Sequence, residues 1–515
     1  MKVLTNLDDR EEARRRLAEL LDSRVEWFCA ETREGVRVPL GKGEWELEAS
    51  HGALHFSYRT ARGASRVWRV AGWEWTGERL LVSATRRMGA ERATLELIPR
   101  ALVRENVEAV ASARRAACER LAALVSDATL NCKIERVTLS AGARRREPGR
   151  YARVLLRAGR DGVAATGAVV ALGAHEVDAF LASALMWWTR LAAKATRGRA
   201  RKLWLVVAHE LVEEAAARLA LLREGVRREI ELYETGEGWQ TFAPVALPEL
   251  RQTLDNAPGF RRPSREGLSE TAARIVSLAP EAIDVVRARH GETLRFHGLS
   301  FARVRSVMRR ERVWFGVGST PRTLLDDDNW PQLAKLIGEL SDHRSAHASD
   351  HRHAFYAAAP EAWLESLLRR DITRLDPGLR LAPLHAQFRT GRGGNSGAGA
   401  RPVDLLALRR DGRLVVVELK VTEDAALALQ GADYWCRVEA HRRGGEIARA
   451  RLFGDAVIAD TPPLVYLVAP MLRFHRNFNT IASLIAPEIE LYRFDLNENW
   501  RADVCVVRRT RVSSF

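Results

Sequence analysis

The chain has 515 residues, too many for one hydrophobic core, and its 46% hydrophobic and 29% charged composition excludes a disordered or fibrous protein. No apolar run approaches a bilayer crossing, no charged-then-apolar leader opens the chain, and the five cysteines lie far apart without C-x-x-C spacing; a membrane partner, a secreted protein and a zinc ribbon are set aside, and a cytoplasmic location is expected. A net charge of +15 favours polyanions, nucleic acid first.

Asp8, Asp9 and Glu11, followed by Leu17, Leu20 and Leu21, predict a capped amphipathic helix. Alternation then takes over, through Trp45/Leu47, Leu54/Phe56/Tyr58, Trp68/Val70, Leu80/Val82 and Leu95/Leu97, and predicts antiparallel strands in a β-rich domain over residues 1–100. Trp68, Trp73 and Trp75 among Arg66, Arg69 and Arg79 suggest either core or an aromatic and basic face for single strands. A helix is expected over 105–126, within an α/β domain at 101–245.

That second domain echoes the end of the chain. Leu203-Trp204-Leu205-Val206-Val207 matches Val465-Tyr466-Leu467-Val468-Ala469, and Ile230-Glu231-Leu232-Tyr233 matches Ile489-Glu490-Leu491-Tyr492. Met186-Trp187-Trp188-Thr189-Arg190 mirrors Asp433-Tyr434-Trp435-Cys436-Arg437. Aligned this way, Val154, Ala168 and Val170 stand where the later segment has Asp404, Glu418 and Lys420. The expectation is a degenerate repeat that kept its core and lost its charged site; chance similarity of two strand-helix-strand segments is the alternative.

Residues 244–265 are Pro-punctuated and predict a linker, the start of a linker and small α/β segment at 246–345. Asn329-Trp330-Pro331 opens a helix, with Asp326, Asp327 and Asp328 as its caps. His343, His347, His351 and His353 have helical spacing for a metal, but the segment 341–352 is polar on every side and predicts a solvated linker.

The last domain, 346–515, carries the chemistry. A helix is predicted over 360–375, strands over 384–388, 403–408 and 413–421, a helix over 422–441 and a strand over 464–468. Asp411-Gly412 makes a hairpin turn that brings Asp404 beside Glu418, and the two-residue strand period puts Glu418 and Lys420 on one face. Of the 81 basic residues, 7 are lysines and 74 arginines, so a retained lysine marks a place that needs a compact amine. Two carboxylates beside an ammonium, at the end of the apolar run Leu414 to Val417, form a site for a hard divalent cation, Mg²⁺ or Mn²⁺, and for phosphodiester chemistry.

Asp404 followed by Glu418-x-Lys420 on an apolar strand, in an α-β-β-β-α-β order, resembles the PD-(D/E)XK nuclease superfamily, and Gln430-x-x-x-Tyr434 on the next helix resembles its RecB-like and archaeal-type endonuclease-like members. The resemblance covers about 150 residues. It implies a mixed sheet flanked by helices, with Asp404 and Glu418 as metal ligands, the Leu419 carbonyl as a third ligand, Lys420 as the catalytic lysine, Gln430 and Tyr434 beside it, and Glu361 or Glu365 as the carboxylate of the first helix. Arg389, Arg392 and Arg401 flank a Gly-rich loop that would grip the nucleic-acid backbone. The implied activity is Mg²⁺-dependent hydrolysis of DNA by an endonuclease, with the N-terminal region as recognition platform or as the contact of a homodimer; the alternatives are RNA cleavage and a non-catalytic nucleic-acid-binding protein on the same scaffold.

Overall fold

The computed structural model describes residues 2–3, 7–23, 26–31, 37–41, 45–50, 52–59, 65–77, 79–86, 91–99, 118–125, 127, 132–141, 148–158, 161–168, 177–194, 200–236, 243–255, 268–288, 291–307, 310–317, 322–381 and 404–512. Among them lie four sheets in a multi-domain α/β protein. The chain divides into two compact units, each discontinuous in sequence: Met1–Val110, Leu268–Arg344 and Ala348–Ala358 form one, Ala111–Gly267, Ser345–His347 and Ala359–Phe515 the other. Among the described residues no helix is long and apolar enough to cross a membrane.

In the first unit the N-terminal alternation becomes an antiparallel sheet that includes Trp45–Ser50, Ala53–Arg59, Ser65–Trp75, Leu80–Arg86 and Glu91–Pro99. The helix Leu7–Asp22 inserts Ala13, Leu17 and Leu21 among Trp27, Phe56, Tyr58 and Trp68. Trp68 is 1% exposed, and Trp73 and Trp75, partly buried, pack against the same core, so these aromatics help build the domain. Most of the histidine-rich stretch, His347 and His351 included, is exposed as a solvated linker would be, but Arg344 and Ala348 are buried. Helix Trp330–His343 ends at fully buried Arg344, whose guanidinium donates to the carbonyls of Phe296, His297, Phe355 and Ala358, and His343 stacks on His353 at 3.8 Å.

The second unit holds two sheets with one plan. The first comes from β1 (Cys132–Ala141), β2 (Pro148–Ala158), β3 (Asp161–Ala168), α1 (Val177–Lys194), β4 (Ala200–Ala208), α2 (His209–Leu219), β5 (Ile230–Thr235), β6 (Ala243–Val245) and α3 (Leu250–Asp255). The second comes from α4 (Pro360–Arg370), β7 (Leu379–Leu381), β8 (Leu405–Arg409), β9 (Leu414–Leu419), α5 (Leu427–Arg443), β10 (Leu464–Pro470), α6 (Phe478–Ala482), β11 (Glu490–Leu496) and β12 (Val506–Arg511). Each is six-stranded in sequence order. Successive pairs run antiparallel, antiparallel, parallel, parallel and antiparallel in both.

Several boundaries differ from the sequence reading. Part of the expected linker 244–265 is ordered: Pro244 lies opposite Tyr233 on the edge strand β6, where a missing N–H leaves no outer ladder bond unmade, and α3 buries Leu254. The helix expected over 360–375 stops at Arg370, because Asp371 leaves helical geometry (φ −148°, ψ 88°) and its carboxylate accepts from the Thr373 N–H at 3.1 Å. The strand expected at 384–388 and the loop carrying Arg389, Arg392 and Arg401 lie outside the described residues; the edge strand described is β7.

The two halves of this unit share a core in which Phe180, Leu185 and Trp188 meet Trp435, Leu467 and Phe478. Leu222 and Ile485 form an antiparallel bridge, flanked by Arg223 N–H to the Leu484 carbonyl at 2.9 Å and Ala486 N–H to the Leu221 carbonyl at 2.8 Å. As in any antiparallel bridge, exchanging the two strands converts one bond into the other, so the contact has a local two-fold axis. Off that axis, Arg218 donates to Asp178 at 2.7 Å, pairs with Glu214 and reaches across to Asp433, which Arg437 meets at 2.6 Å.

Candidate metal centre

The run from Leu414 to Leu419 is buried on both faces, and β9 is an interior strand between β8 and β10. A fully apolar strand in that place needs no partner, but Glu418, 2% exposed, does. The antiparallel register of β8 and β9, in which Leu405 faces Val417, brings Asp404 opposite Glu418 at the open end of the hairpin. Asp404 Oδ2 accepts the Leu419 N–H at 2.8 Å. Lys420, held by its N–H to the Val468 carbonyl at 2.9 Å, turns its Nζ to Glu418 Oε1 at 3.0 Å. The three groups that the sequence placed together are together.

The electrostatics are those of two acids confined in one place. Desolvation pushes Asp404 up to about 6, opposed by the charge of Lys420 and by the Leu419 amide. Burial raises Glu418 well above the ordinary carboxylate range, and the neighbouring Asp404 charge raises it further, so the pair resists double ionisation and retains one proton between its two carboxyls. Burial alone would lower Lys420, but the charges of Glu418, Glu361 and Asp404 outweigh it and keep the ammonium protonated. Glu418 Oε2 is buried and accepts no hydrogen bond.

Helix α5 supplies the neighbours. Gln430 is 5% exposed and its Oε1 is buried without a partner, while Tyr434 is buried against Leu406 and Val416, with its hydroxyl proton held tightly by burial and by the charges of Glu418 and Asp404. This helix approaches the sheet closely because residue 431 is glycine: a Cβ there would lie 2.5 Å from Leu467 Cδ2. From α4, Glu361 acts on Lys420 and Glu365 on Asp404. Glu365 is the more buried of the two and lies 3.1 Å from Arg369 Nε. Both acids named in advance therefore adjoin the centre, each through a different member.

Among the described residues no cluster of three or more His, Cys, Asp or Glu is arranged to hold an ion. The donor set here is two carboxylates with a buried, unsatisfied oxygen on Glu418 and another on Gln430. It fits a hard cation that retains much of its water, as Mg²⁺ does, better than an all-protein cage. Cation binding requires the shared proton to leave.

A pH dependence follows. The folded protein keeps Asp404 protonated up to about 6 against an ordinary 3.8, and Glu418 higher still. Between those values the native state binds protons that the unfolded chain has released, so the metal-free protein loses stability as pH rises from about 4 through 6 and beyond. Urea unfolding in chelator is expected to show Asp404→Asn gaining on the order of 2 kcal/mol over the wild type at pH 8, and little at pH 4. Equal stabilities of the two proteins at both pH values would contradict the shared-proton account.

Comparison with protein-family models, curated proteins and solved structures finds no match to this chain.

Proposed function

We propose that the second half of this unit is a PD-(D/E)XK-type, Mg²⁺- or Mn²⁺-dependent endonuclease acting on DNA, and that the first half is a degenerate version of it. The observation that carries the reading is the pair of confined carboxylates, Asp404 and Glu418, with a buried unsatisfied oxygen and an ammonium 3.0 Å away. A site that holds two like charges and one spare proton is costly to build unless a cation replaces that proton. The divalent ion would supply Lewis acidity toward a phosphate oxygen and an attacking water.

The chain's own groups have separable tasks. Asp404 and Glu418 would hold the ion, with the Leu419 N–H fixing the Asp404 carboxylate. Lys420 offers a permanent positive charge to the pentavalent phosphorus, and Gln430 offers an amide to orient the phosphate or the lysine. Glu361 and Glu365 set the charge around them. A positive net charge of 15 attracts a phosphodiester backbone irrespective of its sequence.

The direct test incubates the full chain with Mg²⁺ or Mn²⁺ and single-stranded, duplex and branched DNA, and with RNA. DNA strand cleavage that stops in excess EDTA is expected. Cleavage of RNA alone would move the substrate assignment, and no cleavage of any substrate with either ion would remove the enzyme.

A further inference from the structure

The half that lacks counterparts of Asp404 and Glu418 has a cationic cluster close to the corresponding place. Strand pairing fixes the correspondence more firmly than sequence echoes do. Ala165 pairs with Trp204 in one sheet as Val415 pairs with Leu464 in the other, when Ile230–Tyr233 is set on Ile489–Tyr492. Ala168 then matches Glu418, as the sequence alignment had it. But Ala168 lies opposite Tyr151, so Tyr151 stands in for Asp404, and the earlier match to Val154 is three residues out. By the same register Arg153, facing Thr166, falls where the other half has the core residue Leu406. On the helices, the Trp188/Trp435 match sets Ser183 on Gln430, Trp187 on Tyr434 and Arg190 on Arg437.

Arg153 touches both Ser183 and Trp187. Arg153 Nη2 donates to Ser183 Oγ at 2.9 Å and to the Ser183 carbonyl at 3.2 Å, and its guanidinium lies 5.2 Å from the centroid of the Trp187 ring. Its Nε is buried and bonded to nothing, and no carboxylate among the described residues pairs with it. Burial, and then the nearby Arg190, hold Arg153 down to about 10. A guanidinium taken from an apolar position, partly buried, beside a second arginine and without a counter-charge is unfavourable in isolation and needs an anion. The planar fork of this half-buried guanidinium matches a tetrahedral oxyanion, and phosphate is the oxyanion a nuclease scaffold meets.

We propose that Arg153, Arg190 and Ser183 form a second, non-hydrolytic phosphate site that holds the nucleic-acid backbone on the degenerate half. The proposal rests on the nucleic-acid reading of the carboxylate centre but not on any hydrolysis there. Charge is inverted between the halves: two acids and a cation on one, cations alone on the other. A metal-free site of this kind binds its phosphate directly through guanidinium groups and needs no chelatable ion.

The test measures oligonucleotide binding by fluorescence anisotropy in EDTA, over a range of salt, so that cleavage plays no part. Arg153→Leu installs the side chain that the equivalent position already carries, and is expected to fold and to melt no lower than the wild type. It should weaken oligonucleotide binding about tenfold and reduce the slope of log K against log salt by about one; Arg190→Ala should reduce the slope similarly. Arg153→Lys should keep the slope and lose part of the affinity, because the charge remains and the planar fork does not. Inorganic phosphate alone forms a parallel arm, read by thermal shift. Unchanged affinity and slope in Arg153→Leu and Arg190→Ala would overturn the proposal. So would a phosphate-induced shift lost in Arg153→Leu while oligonucleotide binding stays intact, since the site would then serve a free anion. A wild type that binds no oligonucleotide would overturn it together with the nucleic-acid reading, whereas binding without cleavage would leave it standing and remove only the hydrolytic centre.

Discussion

Lys420→Ala is expected to lower the rate of DNA cleavage about a thousandfold while nucleic-acid affinity stays within a few-fold of the wild type. The side chain is 11% exposed and its Nζ touches Glu418, so it adds little to a backbone-binding surface and much to charge stabilisation at one phosphate. Folding should survive, because burial and the Asp404 charge already disfavour an ionised Glu418, which takes up a proton when its partner goes. Asp404→Ala should be as damaging, through loss of a ligand, and should also free the Leu419 N–H. Single-turnover cleavage with Mg²⁺, set beside anisotropy in EDTA, separates the two effects. Rates within tenfold of wild type in both variants would rule out this centre as the place of hydrolysis.

The largest loss of stability is expected at Arg218, far in sequence from the carboxylates. Its side chain is 7% exposed and satisfies Asp178, Glu214 and, from the other half, Asp433. Arg218→Ala leaves Asp178 and Asp433 as buried acids short of a cation, a change that typically destabilises by about 3–5 kcal/mol. Arg437 relieves Asp433 in part. Arg218→Lys should recover little, since one ammonium cannot reach three carboxylates with directed N–H groups. Because Asp433 neighbours Tyr434 on α5, cleavage should fall along with the urea midpoint. A stability change below about 0.5 kcal/mol, the range of ordinary surface substitutions, would show that the cluster is solvated in solution.

What could be read in advance follows from which interactions are local. The Asp411-Gly412 turn and the two-residue period of Val415 to Lys420 are short-range signals, and they were enough to place Asp404, Glu418 and Lys420 together before any fold was known. Gln430 and Tyr434 follow from the helix period once the strand is set. Choosing between Glu361 and Glu365 was beyond the sequence because both adjoin the centre, one through Lys420 and one through Asp404. The end of α4 at Asp371 was missed because Leu375 continues the apolar spacing across a break that the Asp371 side chain stabilises. Arg153 gave no signal at all: an arginine in a strand normally reads as a solvated face, and only the pairing of β2 with β3 and its contact with α1 show it turned inward. Its neighbours Trp187 and Arg190 were visible in the repeat, though as echoes of Tyr434 and Arg437 and not as partners of a buried cation.

The interleaving of the two units imposes an order on biosynthesis. The segment carrying Phe180, Leu185 and Trp188 leaves the ribosome with an apolar face whose cover begins at Ala426, so that face waits through the whole second portion of the other unit. During that interval a nascent chain depends on chaperones, or on the later half of a neighbouring nascent chain, to keep the face from aggregating. Exchange of halves between chains on one polysome is therefore the misassembly to which this architecture is most exposed.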